Sequence, residues 1–147
     1  MKYDVAVIGA GLAGLSLSRQ LLLNTDKSIL LVEKRAEVPT PRQKVGESLV
    51  QVAGYYYGKV LELEEYLFRQ HYMKYNLRFY WKSAERDNRG FEDYCQAYIR
   101  TFSNIPCYQL DRNKLEAELL RLNRQSSRFT FCAPATNLEV ELQEQGA

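Results

Sequence analysis

The fold of this chain is decided by residues 3–14, which read YDVAVIGAGLAG. The apolar-rich residues before the first glycine predict a strand, and the three glycines predict a sharp turn into a helix that runs to about Leu23. A second apolar run over residues 29–32 ends on the acid Glu33. This order of strand, glycine turn, helix, strand and acid is typical of a dinucleotide-binding βαβ unit.

Each glycine of this turn has a predicted role in holding a dinucleotide. Gly9 lets the chain turn out of the strand, and Gly14 lets the helix pack close to the strands. Gly11 has no side chain, so a pyrophosphate can reach the backbone N–H groups at the positive end of the helix. Leu12 and Ala13, which lie between the last two glycines, complete this part of the predicted cofactor-binding set.

Glu33 is the expected partner of a ribose. It lies nineteen residues after Gly14, close to the ~20 expected for the acid that accepts a hydrogen bond from a ribose 2′-OH. A 2′-phosphate at this position would meet a like charge, so the sequence favours FAD or NAD over NADP. Lys34, the next residue, is also a predicted cofactor contact.

Composition limits the kinds of protein that this chain can be. Its 147 residues fit one domain, and 46% apolar with 26% charged residues is typical of a globular protein. The net charge of +2 indicates neither a nucleic-acid nor a membrane partner. No apolar run approaches the ~20 residues of a membrane span, and no signal peptide precedes the first strand, which predicts a cytoplasmic protein. Cys95, Cys107 and Cys132 lack metal-ligand or CxxC spacing, so we expect reduced thiols and no metal site.

The remaining sequence alternates between predicted helices and strands. Ser48 is a candidate N-cap for a helical region over residues 49–71, which Gly54 and Gly58 should divide into shorter helices. Asp111 is the expected N-cap of a helix that runs to about Arg124. Strands are predicted over residues 77–81, 94–102, 129–132 and 138–142.

Three further stretches carry a resemblance to a known family. Residues 41–48 read PRQKVGES, residues 71–79 read HYMKYNLRF, and residues 108–115 read YQLDRNKL. Together they resemble the branch of the FAD-dependent monooxygenase superfamily that contains the flavin-dependent tryptophan halogenases and related oxidoreductases. Its members share a Val-Gly-Glu-Ser-type loop, a lysine before an aromatic strand, and a Gln/His-x-Asp-Arg helix start. The resemblance covers nearly the whole chain.

The resemblance implies that the loop before the helical region lies beside the flavin. Arg42 would approach the phosphates or ribose of FAD, and Gly46, Glu47 and Ser48 would border the isoalloxazine ring. A glycine permits close approach of the backbone to a flat ring, and an arginine suits a phosphate. The alternative for the charged members of this loop is a solvated surface segment.

The same resemblance assigns roles to three residues outside the loop. Gln109 and Arg112 would contact the flavin side of the cofactor, and their alternative is an ordinary polar helix start. Lys74 matches the lysine that relays an oxidised halide toward the substrate in the halogenases. A lysine can do this when burial or a tunnel mouth places its amine near the reaction. The alternative for Lys74 is a surface lysine before a strand.

The expected fold is α/β, a Rossmann-type three-layer FAD/NAD(P)-binding domain that is incomplete and carries a mixed β insertion. We divide residues 1–147, the N-terminal part of this domain, into four segments. The segments are a βαβ unit (1–33), a flavin-side loop with helices (34–74), a strand-rich insertion (75–108), and a helix with strands (109–142). Further signatures of the family are expected beyond residue 147, so we expect a portion of a longer flavoprotein.

The expected function is that of an FAD-binding portion of a flavin-dependent oxidoreductase, either a monooxygenase or a halogenase-like enzyme that uses reduced FAD and O₂. Its partners would be a small-molecule substrate and either a flavin reductase or a missing C-terminal half. The alternative is a non-catalytic nucleotide-binding or assembly module that needs a second polypeptide. A small NAD-dependent enzyme is disfavoured because no Tyr-x-x-x-Lys or comparable constellation follows the βαβ unit.

Overall fold

A computed structural model describes residues 2–40, 42, 44–75, 77–98 and 106–141. The chain forms two compact units. The first combines residues 1–47 with 110–147, and the second contains residues 48–109. The strand-rich insertion predicted over residues 75–108 therefore falls within a second unit that begins earlier, at Ser48.

A parallel three-stranded sheet organises the first unit. Its strands are β1 (Val5–Ile8), β2 (Ile29–Val32) and β7 (Phe129–Cys132), with β2 in the centre. Ile29 pairs with Val5 on one side and with Phe129 on the other. The side chains of Ile29 and Leu31 are fully buried, as expected for the central strand of a parallel sheet. The three predicted strands and the α/β class are confirmed.

Two long helices complete the first unit: α1 (Leu12–Asn24) and α4 (Arg112–Asn123). The Asp111 side chain accepts hydrogen bonds from the N–H groups of Asn113 and Lys114 at 2.9 and 3.2 Å, which confirms the predicted N-cap of α4. The two helices pack against each other, and the buried Asn123 amide at the end of α4 donates to the Leu15 carbonyl of α1 at 3.0 Å.

The second unit is built from shorter elements. Helix α2 (Gln51–Tyr55) continues as a π-helix (Tyr56–Val60) and is followed by α3 (Glu64–Gln70). Two antiparallel pairs join β3 (Tyr72–Lys74) to β6 (Cys107–Gln109) and β4 (Arg78–Trp81) to β5 (Cys95–Tyr98). A 3₁₀ turn (Phe91–Asp93) precedes β5. Apolar side chains of the helical segment and of β6 supply the core of this unit, including Leu61, Leu63, Leu67 and Tyr108.

The helical region is divided into shorter helices as predicted, but its predicted start and the predicted place of the division are wrong. Ser48 forms a β-bridge with Gln109, and the helix begins only at Gln51 with Val50 as its N-cap. Ser48 cannot cap because its backbone is engaged beside β6. The helical chain runs through both glycines to Val60 and breaks at residues 61–63 instead. Gly54 serves close packing, since a Cβ at this position would overlap the Pro106 carbonyl oxygen.

Two of the predicted strands differ from the structure. Residues 138–141 form no strand, and Leu138 and Val140 are exposed. An alternating pattern needs a neighbouring strand to pair with, and none of the described strands pairs with this segment. Residue 142, and residues 99–102 of the strand predicted over 94–102, lie outside the described residues.

No helix among the described residues is both long enough and apolar enough to cross a bilayer. The cytoplasmic location expected from the sequence stays a prediction. All three cysteines are free.

Candidate nucleotide-binding site

The turn after β1 separates two glycines that serve different purposes. Gly9 has φ +100°, a left-handed backbone that favours glycine. A Cβ on Gly14 would overlap the Gly9 carbonyl oxygen, so this glycine is required by packing within the chain. Leu12 and Ala13 lie between Gly9 and Gly14 in the sequence and are the first two residues of α1. Gly9 and Gly14 shape the turn as the sequence predicted, while the cofactor contacts predicted for Leu12 and Ala13 stay a prediction.

Gly11 is the N-cap of α1 and is not required by packing. Its φ of −81° and ψ of −175° are extended backbone that any residue adopts. A Cβ at Gly11 would find no described atom within 4 Å beyond its chain neighbours. The space beside Gly11 is therefore open at the N-terminus of a helix that carries partial positive charge.

Glu33 lies at the carboxyl end of β2, beside this turn. Its side chain is buried, and its two carboxylate oxygens accept hydrogen bonds from the backbone N–H groups of Ala10 at 2.8 Å and Arg35 at 3.0 Å. Burial opposes ionisation, but the N–H groups of Ala10 and Arg35 and the positive charges of Arg35 and Lys34 together outweigh it and hold the pKa of Glu33 below its ordinary value. Glu33 is therefore a fixed anion at neutral pH.

A cleft of about 440 Å³ opens between these elements and is confined to the first unit. Gly11, Glu33 and Arg112 are the predicted site residues that line it. The remaining lining residues are Ala10, Arg35, Glu37, Val38, Pro39, Thr40, Lys44, Val45 and Glu116. The cleft thus joins an open helix N-terminus, a fixed carboxylate and several cations, which suits a ligand with both hydroxyl and phosphate groups.

Other predicted site residues of the first unit lie outside the lining of the cleft. Lys34 and Arg42 are exposed, and Arg42 contributes its backbone carbonyl, which accepts from the Asn113 amide at 3.3 Å. Gly46 has φ +83°. The Glu47 carboxylate accepts from the Arg112 backbone N–H at 3.4 Å. The loop is thus attached to the start of α4, while its role toward a flavin stays a prediction.

The sequence did not identify Lys44 and Glu116 as site residues. Glu116 is 1% exposed, and its two oxygens form ion pairs with the Lys44 ammonium and, at 2.7 Å, with the Arg112 guanidinium. The signal was present in the sequence, because Glu116 lies four residues after Arg112 and directly after Leu115, on the buried side of α4. A charged residue beside an apolar stripe predicts a buried ion pair.

The second unit brings Lys74 and Ser48 together. The Lys74 ammonium donates to the Ser48 hydroxyl at 2.7 Å and to the Leu49 carbonyl at 2.6 Å. It lies at a cavity of about 400 Å³ that is otherwise lined mainly by apolar side chains, including Leu49, Val50, Leu77, Phe79 and Tyr98. Gln109 is exposed and pairs with Tyr72. The Lys74 side chain is therefore held at an apolar cavity by two hydrogen bonds, and its catalytic role stays a prediction.

Comparison with known proteins identifies what the chain is similar to. The flavin-dependent halogenase chlA of Dictyostelium discoideum is 36% identical in an alignment of 126 residues, and the match covers 82% of this chain and 21% of chlA. No protein-family model matches the chain. The chain therefore spans about a fifth of the length of this curated relative.

Solved structures share the fold at lower identity. PqsL of P. aeruginosa in complex with 2-aminobenzoylacetate matches with a TM-score of 0.75 and 16% identity, over 99% of this chain and 37% of PqsL. The myxobacterial chondrochloren halogenase CndH, a variant of the FAD-dependent halogenases, matches with a TM-score of 0.65 and 22% identity, over 88% of this chain and 28% of CndH. The expected resemblance to flavin-dependent halogenases and related FAD-dependent oxidoreductases is confirmed.

Proposed function

Since the chain is similar to a part of flavin-dependent halogenases and of FAD-dependent monooxygenases, we propose that it forms the FAD-binding portion of a flavin-dependent oxidoreductase. The observation that carries this proposal is the cleft of the first unit, where Gly11 leaves open space opposite the fixed carboxylate of Glu33. FAD would supply the redox chemistry with O₂, and the residues of this chain would hold and orient it.

The ADP half of FAD fits the donors and acceptors of this cleft. The turn at Gly9, Gly11 and Gly14, with Leu12 and Ala13, would present backbone N–H groups to the diphosphate. Glu33 would accept hydrogen bonds from the adenosine ribose. Each of its oxygens has more than one lone pair, so a ribose hydroxyl can bind while the Ala10 N–H stays attached.

The remaining predicted contacts belong to the rest of the cofactor. Arg112 lines the cleft and would reach the diphosphate or the flavin side of FAD. Lys34 and Arg42 would approach its phosphates or ribose from the exposed loop. Gly46, Glu47 and Ser48 would border the isoalloxazine ring, and Gln109 would contact the flavin side of the cofactor, as the resemblance implies.

We further propose that the first unit is part of a three-layer Rossmann-type domain, with the four segments expected from the sequence. Helices α1 and α4 pack together as one layer beside the parallel sheet. On β1, Ile8 is 66% exposed, and Ala6 on the same side of the strand is also exposed. A further layer of the whole protein would cover this apolar side, because both faces of a parallel sheet are normally buried.

The cavity of the second unit is proposed to receive a small-molecule substrate. Its volume of about 400 Å³ suits a compact organic molecule. PqsL is known in complex with one such molecule, 2-aminobenzoylacetate. Lys74 is the proposed catalytic residue of a halogenase-like reaction, and reduced flavin would come from a flavin reductase. The alternative of a non-catalytic assembly module is not favoured, because the relatives are flavin-dependent enzymes.

Nucleotide binding by the 147-residue chain tests the proposal. ADP and FAD should raise its thermal midpoint, and NADP should not, because its 2′-phosphate would meet the Glu33 carboxylate. Glu33→Gln should weaken ADP binding by roughly tenfold, since a ribose hydrogen bond to a charged acceptor is worth about 1.5–3 kcal/mol.

Glu139→Gln is the matched control, because it removes an exposed carboxylate of the same unit with the same change in charge. Its ADP affinity should equal that of the unchanged chain. Stabilisation by NAD without FAD would refute the flavin assignment. A folded chain that binds no ADP would refute the nucleotide site itself.

A further inference from the structure

The charge cluster in the cleft of the first unit is centred on Glu116. This carboxylate is 1% exposed, whereas the Lys44 and Arg112 side chains that flank it are 18% and 20% exposed. One oxygen accepts from the Lys44 ammonium and the other from the Arg112 guanidinium. Glu116 therefore links a loop residue to the first turn of α4 through the buried base of the cleft.

The same contacts fix the direction of the Arg112 side chain. Nη2 donates to Glu116 at 2.7 Å, and Nη1 donates to the Val45 carbonyl at 2.7 Å. Its Nε is buried and has no hydrogen-bond partner among the described residues. A guanidinium carries five N–H donors and an ammonium three. Both cations therefore keep donors beyond those that Glu116 and Val45 occupy.

The cluster is unequal in charge. A buried carboxylate is costly unless it is paired, and here one carboxylate is paired with two cations. The three groups carry one excess positive charge, and all three line the cleft. An excess charge of this kind, held at the wall of a cleft, favours an anionic ligand.

We infer that Glu116 is a positioning residue for the diphosphate of the bound nucleotide: it holds Lys44 and Arg112 at the cleft wall, where both can donate to phosphate oxygens. This inference rests on the proposed nucleotide site and adds to it a residue that would not itself touch the ligand. Lys44 and Arg112 supply the charge, and Glu116 supplies their placement.

Glu116→Gln distinguishes an effect of charge from an effect of side-chain placement, because the two effects change ADP affinity in opposite directions. If only charge matters, removal of a negative group beside a diphosphate makes binding tighter. If placement matters, binding becomes weaker, because a glutamine amide can accept from one cation but presents its NH₂ group to the other. Two long side chains would then have to be ordered by the ligand, and each loses conformational entropy when it is ordered.

The experiment compares ADP with adenosine, which lacks the diphosphate, by calorimetric titration of the 147-residue chain. Glu116→Gln should bind ADP roughly tenfold more weakly, the change expected for two side chains that are no longer held in place, and should bind adenosine with unchanged affinity. Glu118→Gln is the matched control on the same helix, since Glu118 pairs with Arg121 and does not line the cleft. It should bind both ligands as the unchanged chain does.

Equal or tighter ADP binding by Glu116→Gln would overturn the inference. An equal loss of ADP and adenosine binding would also overturn it, because it would indicate general damage to the unit. If the unchanged chain binds no ADP, the proposed function fails together with the inference. If it binds ADP and Glu116→Gln does not differ from it, only the inference fails.

A second variant covers the case in which Glu116→Gln does not fold. Arg112→Lys keeps the positive charge but loses the guanidinium fork that spans Glu116 and Val45. It should show the same selective loss of ADP binding while adenosine binding is retained. Retention of full ADP affinity by Arg112→Lys would contradict the role of a fixed guanidinium.

Discussion

The first unit keeps its charged side chains around a polar cleft, whereas the second unit keeps one lysine at an apolar cavity. In the first, Glu33 and Glu116 are buried and each is held by two donors. In the second, the Lys74 ammonium is held by two oxygen acceptors, Ser48 and Leu49. Both sites fix charges by hydrogen bonds, but the first unit fixes buried carboxylates together with the two cations that pair with Glu116, whereas the second fixes one ammonium.

The difference indicates what each site can recognise. The cleft offers acceptors for hydroxyl groups and cations for phosphates, so it can read several polar groups of one extended ligand. The cavity offers one cation among apolar side chains, so it suits a compact molecule that is held mainly by burial. Binding of the cofactor and selection of a substrate are thus expected to depend on different residues.

The largest expected effect separates the chemistry of the second unit from cofactor binding. In a full-length enzyme that carries this chain, Lys74→Ala should abolish transfer of halide to an added phenol while flavin reoxidation continues, because it removes the proposed relay group and changes no residue that lines the cleft of the first unit. Halogenated product is measured by mass spectrometry, and reoxidation by flavin absorbance.

Lys59→Ala is the control for this experiment, since Lys59 is an exposed lysine of the same unit that pairs with Glu64. It should retain both activities. Retained halide transfer in Lys74→Ala would remove Lys74 from the mechanism and leave it as a structural cation that holds Ser48.

The second-largest expected effect distinguishes glycines that are required for packing from a glycine that leaves space for a ligand. Gly14→Ala should destabilise the chain by about 3 kcal/mol, because its Cβ would overlap the Gly9 carbonyl oxygen and force the backbone to move. It should also lose ADP binding. Gly11→Ala should change stability by no more than ~1 kcal/mol, yet lose ADP binding, because its Cβ would project into open space at the cleft.

Gly54→Ala is the counterpart in the second unit, where a Cβ would overlap the Pro106 carbonyl oxygen. It should lower stability without changing ADP affinity. Urea unfolding and ADP titration of the three variants check these expectations. Undiminished ADP binding by Gly11→Ala would show that the open space beside Gly11 is not used by the diphosphate.

The sequence predicted most of the first unit because its two helices are long and periodic, whereas the strand expected over residues 138–142 of this unit is absent from residues 138–141. Leu115 and Leu119 fall on one buried side of a helix whose N-cap, Asp111, is a residue that accepts N–H groups locally. The second unit was predicted less well because its helices and strands are short and depend on tertiary contacts. The Ser48 side chain could cap a helix N-terminus, but in the structure Ser48 forms a β-bridge with Gln109 instead.

The residues of the candidate site also divide into those that the sequence identified and those that it did not. Gly11 and Glu33 could be identified from spacing, since the turn and the acid follow directly from the order of strand, helix and strand. Lys44 and Glu116 could not be paired from the sequence, because seventy-two residues separate them and only the folded unit brings them together. The chemistry of a single residue indicates that it is a candidate site residue, whereas the partner of a buried charge can be identified only from the folded structure.

The smallest expected effect concerns the response of the first unit to acid. Burial acts to raise the pKa of Glu33, but the N–H groups of Ala10 and Arg35 and the charges of Arg35 and Lys34 together lower the pKa in the folded chain. A lowered pKa means that the folded state favours the charged form, so the stabilisation is present above the ordinary carboxylate pKa and is lost as pH falls through the folded value. The free energy of unfolding should therefore differ between the unchanged chain and Glu33→Gln at neutral pH, and the difference should shrink in acid.

Glu139→Gln, measured by the same urea titrations, controls for the loss of an exposed charge. A difference between the unchanged chain and Glu33→Gln that stays constant from neutral to acidic pH would show that the hydrogen bonds of Glu33 do not depend on its charge, and the fixed anion that distinguishes the first unit from the second would be lost.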